Sequence, residues 1–94
     1  MKKMNFDRKF FNHKGVEIGH ETISDELSKV LFNAGAQGLS VESGQKFIAY
    51  KISTKLIAQR GIIELNDEEI EFLKKFCEVA FTAGAYGQIV ELLN

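Results

Sequence analysis

Hydrophobic and polar residues alternate near the start of the chain, on both sides of the turn-like sequence at residues 12–15. A period of two is typical of a strand that has one side buried. Gly15 ends the segment between them and suits a turn that needs a positive φ. The pattern therefore predicts a β-hairpin over residues 4 to 19. Its alternating apolar positions are Met4, Phe6, Phe10, Val16 and Ile18.

After residue 20 the apolar spacing changes to three and four, which indicates helices. Thr22 with Asp25 three residues later, or Ser24 alone, predicts the cap of a first helix. Gly35 and Gly38 are expected to close this helix, since glycine readily takes the left-handed conformation that ends a helix. The apolar stripe of the helix consists of Ile23, Leu27, Val30, Leu31 and Ala34.

A second helix is predicted from Ser43 to Gly61. Residues 62–65 are apolar and partly β-branched, which favours either a brief extended connector or an edge strand added to the hairpin. The main apolar face of the helix is formed by Ile48, Ala49, Ile52 and Leu56, with Phe47, Tyr50 and Ile57 spread around it.

Asn66 and Glu69 form the clearest helix start in the sequence, because the two side chains can cap each other's backbone amides. The helix that follows is apolar over more than half of its circumference, as in helices that are central to a core or shared with a partner. Gly84 and Gly87 are expected to end it, before a short C-terminal helix. The sequence thus predicts an α+β fold that is mostly helical, with an N-terminal β-hairpin followed by three helices and a short C-terminal helix. We expect a single domain over residues 1–94.

Composition narrows the class of protein. The 94 residues are 45% apolar and include eight phenylalanines, which is enough for one core without disulfides or metals. The single cysteine excludes an internal disulfide and fits a reducing compartment. No apolar run approaches the roughly 20 residues that span a bilayer, and no apolar segment follows the basic start as in a secretion signal. We expect a cytoplasmic protein with no membrane partner.

Charge argues against a nucleic-acid binder. Twelve basic and thirteen acidic residues give a net charge of −1, whereas nucleic-acid affinity depends on clustered lysine and arginine. The charge is nevertheless uneven, because residues 2–14 hold five basic residues against one acid and residues 64–71 hold five acids and no base. Such a dipolar chain could associate head to tail, although solvated charged faces are the commoner explanation.

Two segments of the chain resemble each other. Residues 29–42 align without gaps to residues 78–91, with identity at eight of fourteen positions, and each contains the pattern Gly-Ala-x-Gly. One interpretation is a pair of turns whose backbone amides bind an anion. The other is a pair of helix C-caps that share small residues. No lysine follows either pattern as it would in a phosphate-binding loop. The glycines concerned are Gly35, Gly38, Gly84 and Gly87.

From Lys46 to the end, the sequence resembles a group of small bacteriophage-encoded proteins. The group shares a helix, a short "ELxxEE" junction, a second helix and a terminal "GQxxELL", and the sequence FNHKGVEI is similar to its opening hairpin. The resemblance implies a small phage protein made in the host cytoplasm, and it implies no activity or site residues. The matching pieces here are Glu64-Leu65, Glu68-Glu69, Gly87-Gln88 and Glu91-Leu92-Leu93.

The sequence predicts no enzyme. Cys77 lies on an apolar stripe, where a buried and inert thiol is expected. His13 and His20 have Glu17 and Glu21 nearby, but their spacing matches no zinc pattern. The acids at 64–71 lie where a helix start favours them, and no serine has a nucleophile motif. We therefore expect no catalytic residue, no metal site and no cofactor.

Two hypotheses of function remain. In the first, the protein is a non-enzymatic interaction module that forms a homo-oligomer and binds a host or phage protein, in assembly or in inhibition of a host defence. Its contact residues would be Phe81, Tyr86, Ile89, Val90 and Leu93. In the second, the protein is a sponge that sequesters a phosphorylated nucleotide ligand through Gly35, Gly38, Gly84 and Gly87. Regulation of transcription ranks below both, because no basic recognition helix is present.

Overall fold

A computed structural model describes residues 2–35, 41 and 44–94, and within them the fold is α+β with four helices and two small antiparallel sheets. This confirms the predicted fold class in its coarse form. The elements are β1 (Lys2–Asn5), β2 (Lys9–Phe11), β3 (Glu17–Thr22), α1 (Ile23–Phe32), α2 (Lys46–Ala58), β4 (Ile62–Leu65), α3 (Asp67–Ala80) and α4 (Ala83–Leu93).

The predicted hairpin is confirmed for β2 and β3. The Asn12 side-chain oxygen accepts hydrogen bonds from the backbone amides of Lys14 (2.9 Å) and Val16 (3.1 Å), which fixes the turn. Gly15 has a φ of +79°, as the turn requires. On the other strand, Gly19 (φ +76°) lies where the register shifts, so β3 is bulged.

Strand β1 is not part of the hairpin. The prediction of one continuous strand from Met4 to Phe10 is wrong, because the chain turns after β1, where the Asn5 side chain accepts from the Asp7 amide at 2.8 Å. Strand β1 instead pairs antiparallel with β4, with Met4 opposite Ile63. Residues 62–65 are thus an edge strand, as one alternative predicted, but their partner is β1 rather than the hairpin.

Two helices begin with the predicted reciprocal caps. Thr22 and Asp25 cap α1, with distances of 3.1 and 3.2 Å between side-chain oxygens and amides. Asn66 and Glu69 cap α3 in the same way at 2.8 and 2.9 Å. Ser24, the alternative cap, is instead buried inside the first turn of α1. These caps satisfy amides that the helix itself cannot bond.

The second Gly-Ala-x-Gly segment does not end a helix. Helix α3 stops at Ala80, and Thr82 caps the next helix by accepting from the Ala85 amide at 3.4 Å. Gly84 and Gly87 therefore lie inside α4, and the prediction that they separate two helices is wrong. The break falls earlier because Phe81 is extended and a threonine cap follows it.

The first Gly-Ala-x-Gly segment differs. Gly35 follows α1 with a φ of +96°, as predicted for a glycine that closes a helix. A Cβ at this position would lie 2.6 Å from Cε of Lys46, but that side chain is exposed and flexible, so the positive φ is what requires glycine here. Gly38 and Ser43, which were predicted to close α1 and to begin the second helix, lie outside the described residues.

The core is shared by every helix and by β1 and β4. Helices α1 and α2 pack side by side, and the Ser53 hydroxyl donates to the Ser28 carbonyl between them at 2.7 Å. Helix α4 contributes Ile89 and Leu93. The fully buried large side chains are Phe6, Leu27, Leu31, Ile52, Leu56, Ile63, Leu65, Leu73, Ile89 and Leu93.

Gln88 joins α4 to the hairpin. Its side-chain oxygen accepts from the Phe11 amide at 2.8 Å, and its side-chain nitrogen donates to the Phe11 carbonyl at 2.9 Å. The same nitrogen donates to the Gly84 carbonyl at 3.0 Å, which holds the side chain against its own helix. One amide side chain thus makes the pair of bonds that a neighbouring strand would make with β2.

Candidate interaction surface

The predicted contact residues of the C-terminal helix are only partly accessible. Ile89 and Leu93 are fully buried in the core of their own chain. Phe81 and Tyr86 are half-buried and pack against that core, and Val90 is also half-buried. The apolar stripe of α4 therefore serves mainly to attach the helix to its own domain. The structure does not bring these five residues together as one exposed surface.

The largest group of exposed aromatic side chains lies on α1 and α2 instead. Phe32 at the end of α1 is 63% exposed, and Phe47 and Tyr50 in the first turns of α2 are 66% and 50% exposed. Ring centroids of Phe47 and Tyr50 are 6.2 Å apart in a stacked arrangement, and Phe32 and Tyr50 are also 6.2 Å apart. Tyr50 thus pairs with both other rings, and the three form one surface, which we name the aromatic face.

Helix α2 explains why this surface exists. Its inner side carries Ala49, Ile52 and Leu56, all fully buried. Its outer side carries Phe47 and Tyr50 and, two turns further on, Ile57, which is 61% exposed. A helix that is apolar on both sides is expected to be covered on both sides. Among the residues that the structure describes, only one side of α2 is covered.

The aromatic face is framed by positive charge. Helix α2 has three lysines and no acidic residue. Lys51 places its ammonium 5.6 Å from the centroid of the Phe47 ring, within reach of a cation–π contact. Lys55 is neutralised by Glu69 at 3.3 Å, whereas Lys46 and Lys51 are exposed. A partner with negative charge beside an apolar centre would complement this face.

Helix α3 presents the opposite charge on its outer side. The residues exposed there recur at helical spacing and so share one side of the helix. Four are acidic and one is basic, and the last, Val79, is 73% exposed. We name this surface the acidic face. It consists of Asp67, Glu68, Glu71, Lys75, Glu78 and Val79.

A shallow groove lies between the hairpin and α4. Two adjoining hollows of about 300 and 290 Å³ are both lined by Phe10, Ile18 and Ala85. At one rim, the pKa of Glu26 is raised, first by a hydrogen bond with the Glu21 side chain, then by burial and by the negative charge of Glu21. The groove is apolar at its base, with these carboxyl groups at its edge.

The glycines proposed for ligand binding are in different environments. Gly35 lies in a turn against Lys46, whereas Gly84 and Gly87 are helical, and Gly38 is outside the described residues. A nest of amides requires a turn, so the two segments do not form the matching pair that their sequences suggested. Binding of a nucleotide at these glycines stays a prediction.

The structure also locates the side chains that could act as a nucleophile or a metal ligand. Cys77 is fully buried, and burial raises the pKa of its thiol to about 12. His13 and His20 are exposed on the hairpin. Among the described residues, no three His, Cys, Asp or Glu side chains are grouped as metal ligands would be.

Compared with known protein families, curated proteins and solved structures, the chain gives no match. In the part of the chain that the structure describes, no helix combines the length and the apolar character needed to cross a bilayer.

Proposed function

We propose that this protein is an interaction module that binds another protein through the aromatic face. One observation carries the proposal: Phe32 on α1 and Phe47 on α2 both pair with Tyr50, and each of the three side chains is at least half exposed, while the opposite side of α2 is buried. The resemblance to small phage proteins suggests a host or phage protein as the partner. The proposed activity is contact, with no chemical step.

The size of the face supports a weak contact. A buried aromatic side chain removes about 150–250 Å² from water, so the exposed fractions of Phe32, Phe47 and Tyr50 together leave roughly 350 Å². Exposed apolar patches of about 300–600 Å² are often functional in single chains. At about 25 cal/mol per Å², covering roughly 350 Å² supplies about 9 kcal/mol, which is similar to the cost of association.

A protein suits this face better than a nucleic acid. Aromatic rings beside lysines can stack on bases. However, the chain has a net charge of −1, and its acidic face would repel an extended phosphate backbone. An acidic partner protein satisfies the lysines without bringing a long run of negative charge.

Site-specific photo-crosslinking in the cells that make the protein tests the proposal. A benzoylphenylalanine at position 47 should give adducts of defined mass, because the face is covered by a partner. The matched control is the same residue at position 16, since Val16 is 58% exposed but lies in the hairpin turn. Adding Tyr50→Ser to the first variant should remove the adducts without unfolding the protein. Equal adducts at both positions, or none at either, would refute the proposal.

A further inference from the structure

We propose that the partner of the aromatic face is the acidic face of a second copy of this chain, in a head-to-tail contact. This inference rests on the proposed function and names the partner. The two faces are complementary in charge, since α2 exposes Lys46 and Lys51 and has no acid, while the acidic face has four acids and one lysine. Val79, 73% exposed at the end of the acidic face, offers an apolar contact for the rings.

The two faces fit each other in length. Helix α2 has 13 residues and α3 has 14, so each is about 20 Å long at 1.5 Å per residue. Helices of equal length can pack side by side along their whole extent, with their axes 8–10 Å apart. Such packing would cover Phe47 and Tyr50 together.

The two faces cannot satisfy each other within one chain. Both are exposed in the single copy, and the contact that does link α2 to α3 uses Lys55 and the buried Glu69. That ion pair lies at the start of α3 and leaves the outer sides of both helices free of each other. The complement for each face must therefore come from another molecule.

A symmetric dimer through α2 is disfavoured. A twofold contact brings the same surface together with itself, so Lys46 and Lys51 of one copy would approach the lysines of the other. Helix α2 has no acidic residue that could neutralise them. Like charges placed together across an interface weaken association strongly. The head-to-tail arrangement avoids this repulsion.

In an open head-to-tail assembly, one end keeps a free aromatic face and the other end keeps a free acidic face. Unless the rotation between copies closes a ring, the assembly grows with concentration. This property gives a sharp test with two charge reversals. Lys51→Glu damages only the aromatic face, and Glu71→Lys damages only the acidic face.

Sedimentation analysis of the whole chain provides the measurement. Wild-type protein should increase in mass with concentration beyond a dimer, and added salt should reduce this association. Each variant alone should stay monomeric, with an affinity weakened about tenfold or more. An equimolar mixture of the two variants should regain the association that neither variant shows alone, because one intact face of each kind remains. Glu17→Lys, the same charge change on the exposed hairpin, should assemble like wild type, and circular dichroism should show that every variant is folded.

Several results would overturn the inference. Wild-type protein that remains monomeric at all concentrations would do so, and adducts to other proteins at position 47 would then still support the proposed function. A dimer that neither reversal disrupts, or a mixture that stays monomeric, would also exclude the head-to-tail contact. A labelled single-stranded oligonucleotide that binds wild type but not Lys51→Glu would assign the face to nucleic acid. Absence of any adduct at position 47 would refute both proposals.

Discussion

Replacing Gln88 by alanine should loosen the hairpin from the rest of the molecule. The Gln88 side chain makes two hydrogen bonds with the backbone of Phe11, at 2.8 and 2.9 Å, and a third with the Gly84 carbonyl at 3.0 Å. Sheet β2–β3 has only two strands, and isolated hairpins are marginally stable in water. Its attachment to α4 through Gln88 is therefore important for its order.

The expected cost follows from these bonds. A typical intramolecular hydrogen bond contributes about 0.5–1.5 kcal/mol net. Because Phe11 is exposed, water can replace the lost partners of its amide and carbonyl, which places each bond at the lower end of this range. We therefore expect Gln88→Ala to lower the free energy of unfolding by about 1–2 kcal/mol. Gln88→Glu should cost at least as much, since it loses both donated bonds and places a carboxylate oxygen against the Phe11 and Gly84 carbonyls.

Urea denaturation and amide hydrogen exchange together check this prediction. The Phe11 amide should exchange faster in Gln88→Ala, while amides inside α3 should change only as much as global stability does. Glu91→Ala, on the exposed side of the same helix, is the control and should change stability by less than about 0.5 kcal/mol. Unchanged exchange at Phe11 in the alanine variant would show that the hairpin does not depend on Gln88.

The remaining predictions concern four single positions. Gly87→Ala should raise the free energy of unfolding by about 0.5–1 kcal/mol, and with it the melting temperature, because this helical glycine has open space for a methyl group. Gly35→Ala should lower it, since a φ of +96° is strained for a residue with a Cβ; reversed signs in thermal melts would contradict the assigned conformations. Asn66→Ala should cost about 1 kcal/mol through loss of the cap, and Asn66→Asp should restore most of it. Cys77 should resist alkylation at pH 8 until the protein unfolds. The unfolded thiol loses its proton near pH 9 and the folded thiol near pH 12. Stability relative to Cys77→Ala should therefore fall as the pH rises above 9, and equal pH profiles would refute the burial of the thiol.

The sequence predicted the elements whose signals are local. The capping pairs at Thr22 and Asn66 depend on residues three apart, and both are observed. The turn before Gly15 depends on neighbouring residues and is also observed. Such features form wherever the local backbone chemistry is satisfied, so they can be predicted without knowledge of the rest of the fold.

One error arose where a distant contact decided the structure. Alternation from Met4 to Phe10 looked like one strand, but Met4 pairs with Ile63 across the molecule. The other was local: Gly84 was expected to end a helix, but the Thr82 cap two residues earlier set the boundary instead. Gly35 and Gly84 hold the same position in the Gly-Ala-x-Gly pattern but differ in conformation, because the residues around them differ.

The site was missed for a related reason. The apolar residues around α2, including Phe47 and Tyr50, were visible in the sequence, but a sequence does not show which side of an apolar helix is covered. The contact surface was predicted from the broad apolar stripes of α3 and α4 instead, but Leu73 and Leu93 of those stripes lie in the core. Because Ala49, Ile52 and Leu56 pack into the core, Phe47 and Tyr50 must face outward.

The pairing of β1 with β4 has a consequence for the order of folding during synthesis. Strand β1 leaves the ribosome early, but its partner strand is translated only after both α1 and α2. The bond from Phe11 to Gln88 spans 77 positions and must form later still. Contacts so distant in sequence slow folding and leave early segments unpaired while the chain grows. Helices α1 and α2 can associate first on the nascent chain, and the first strand must wait, open to other strands, until residue 65 has emerged.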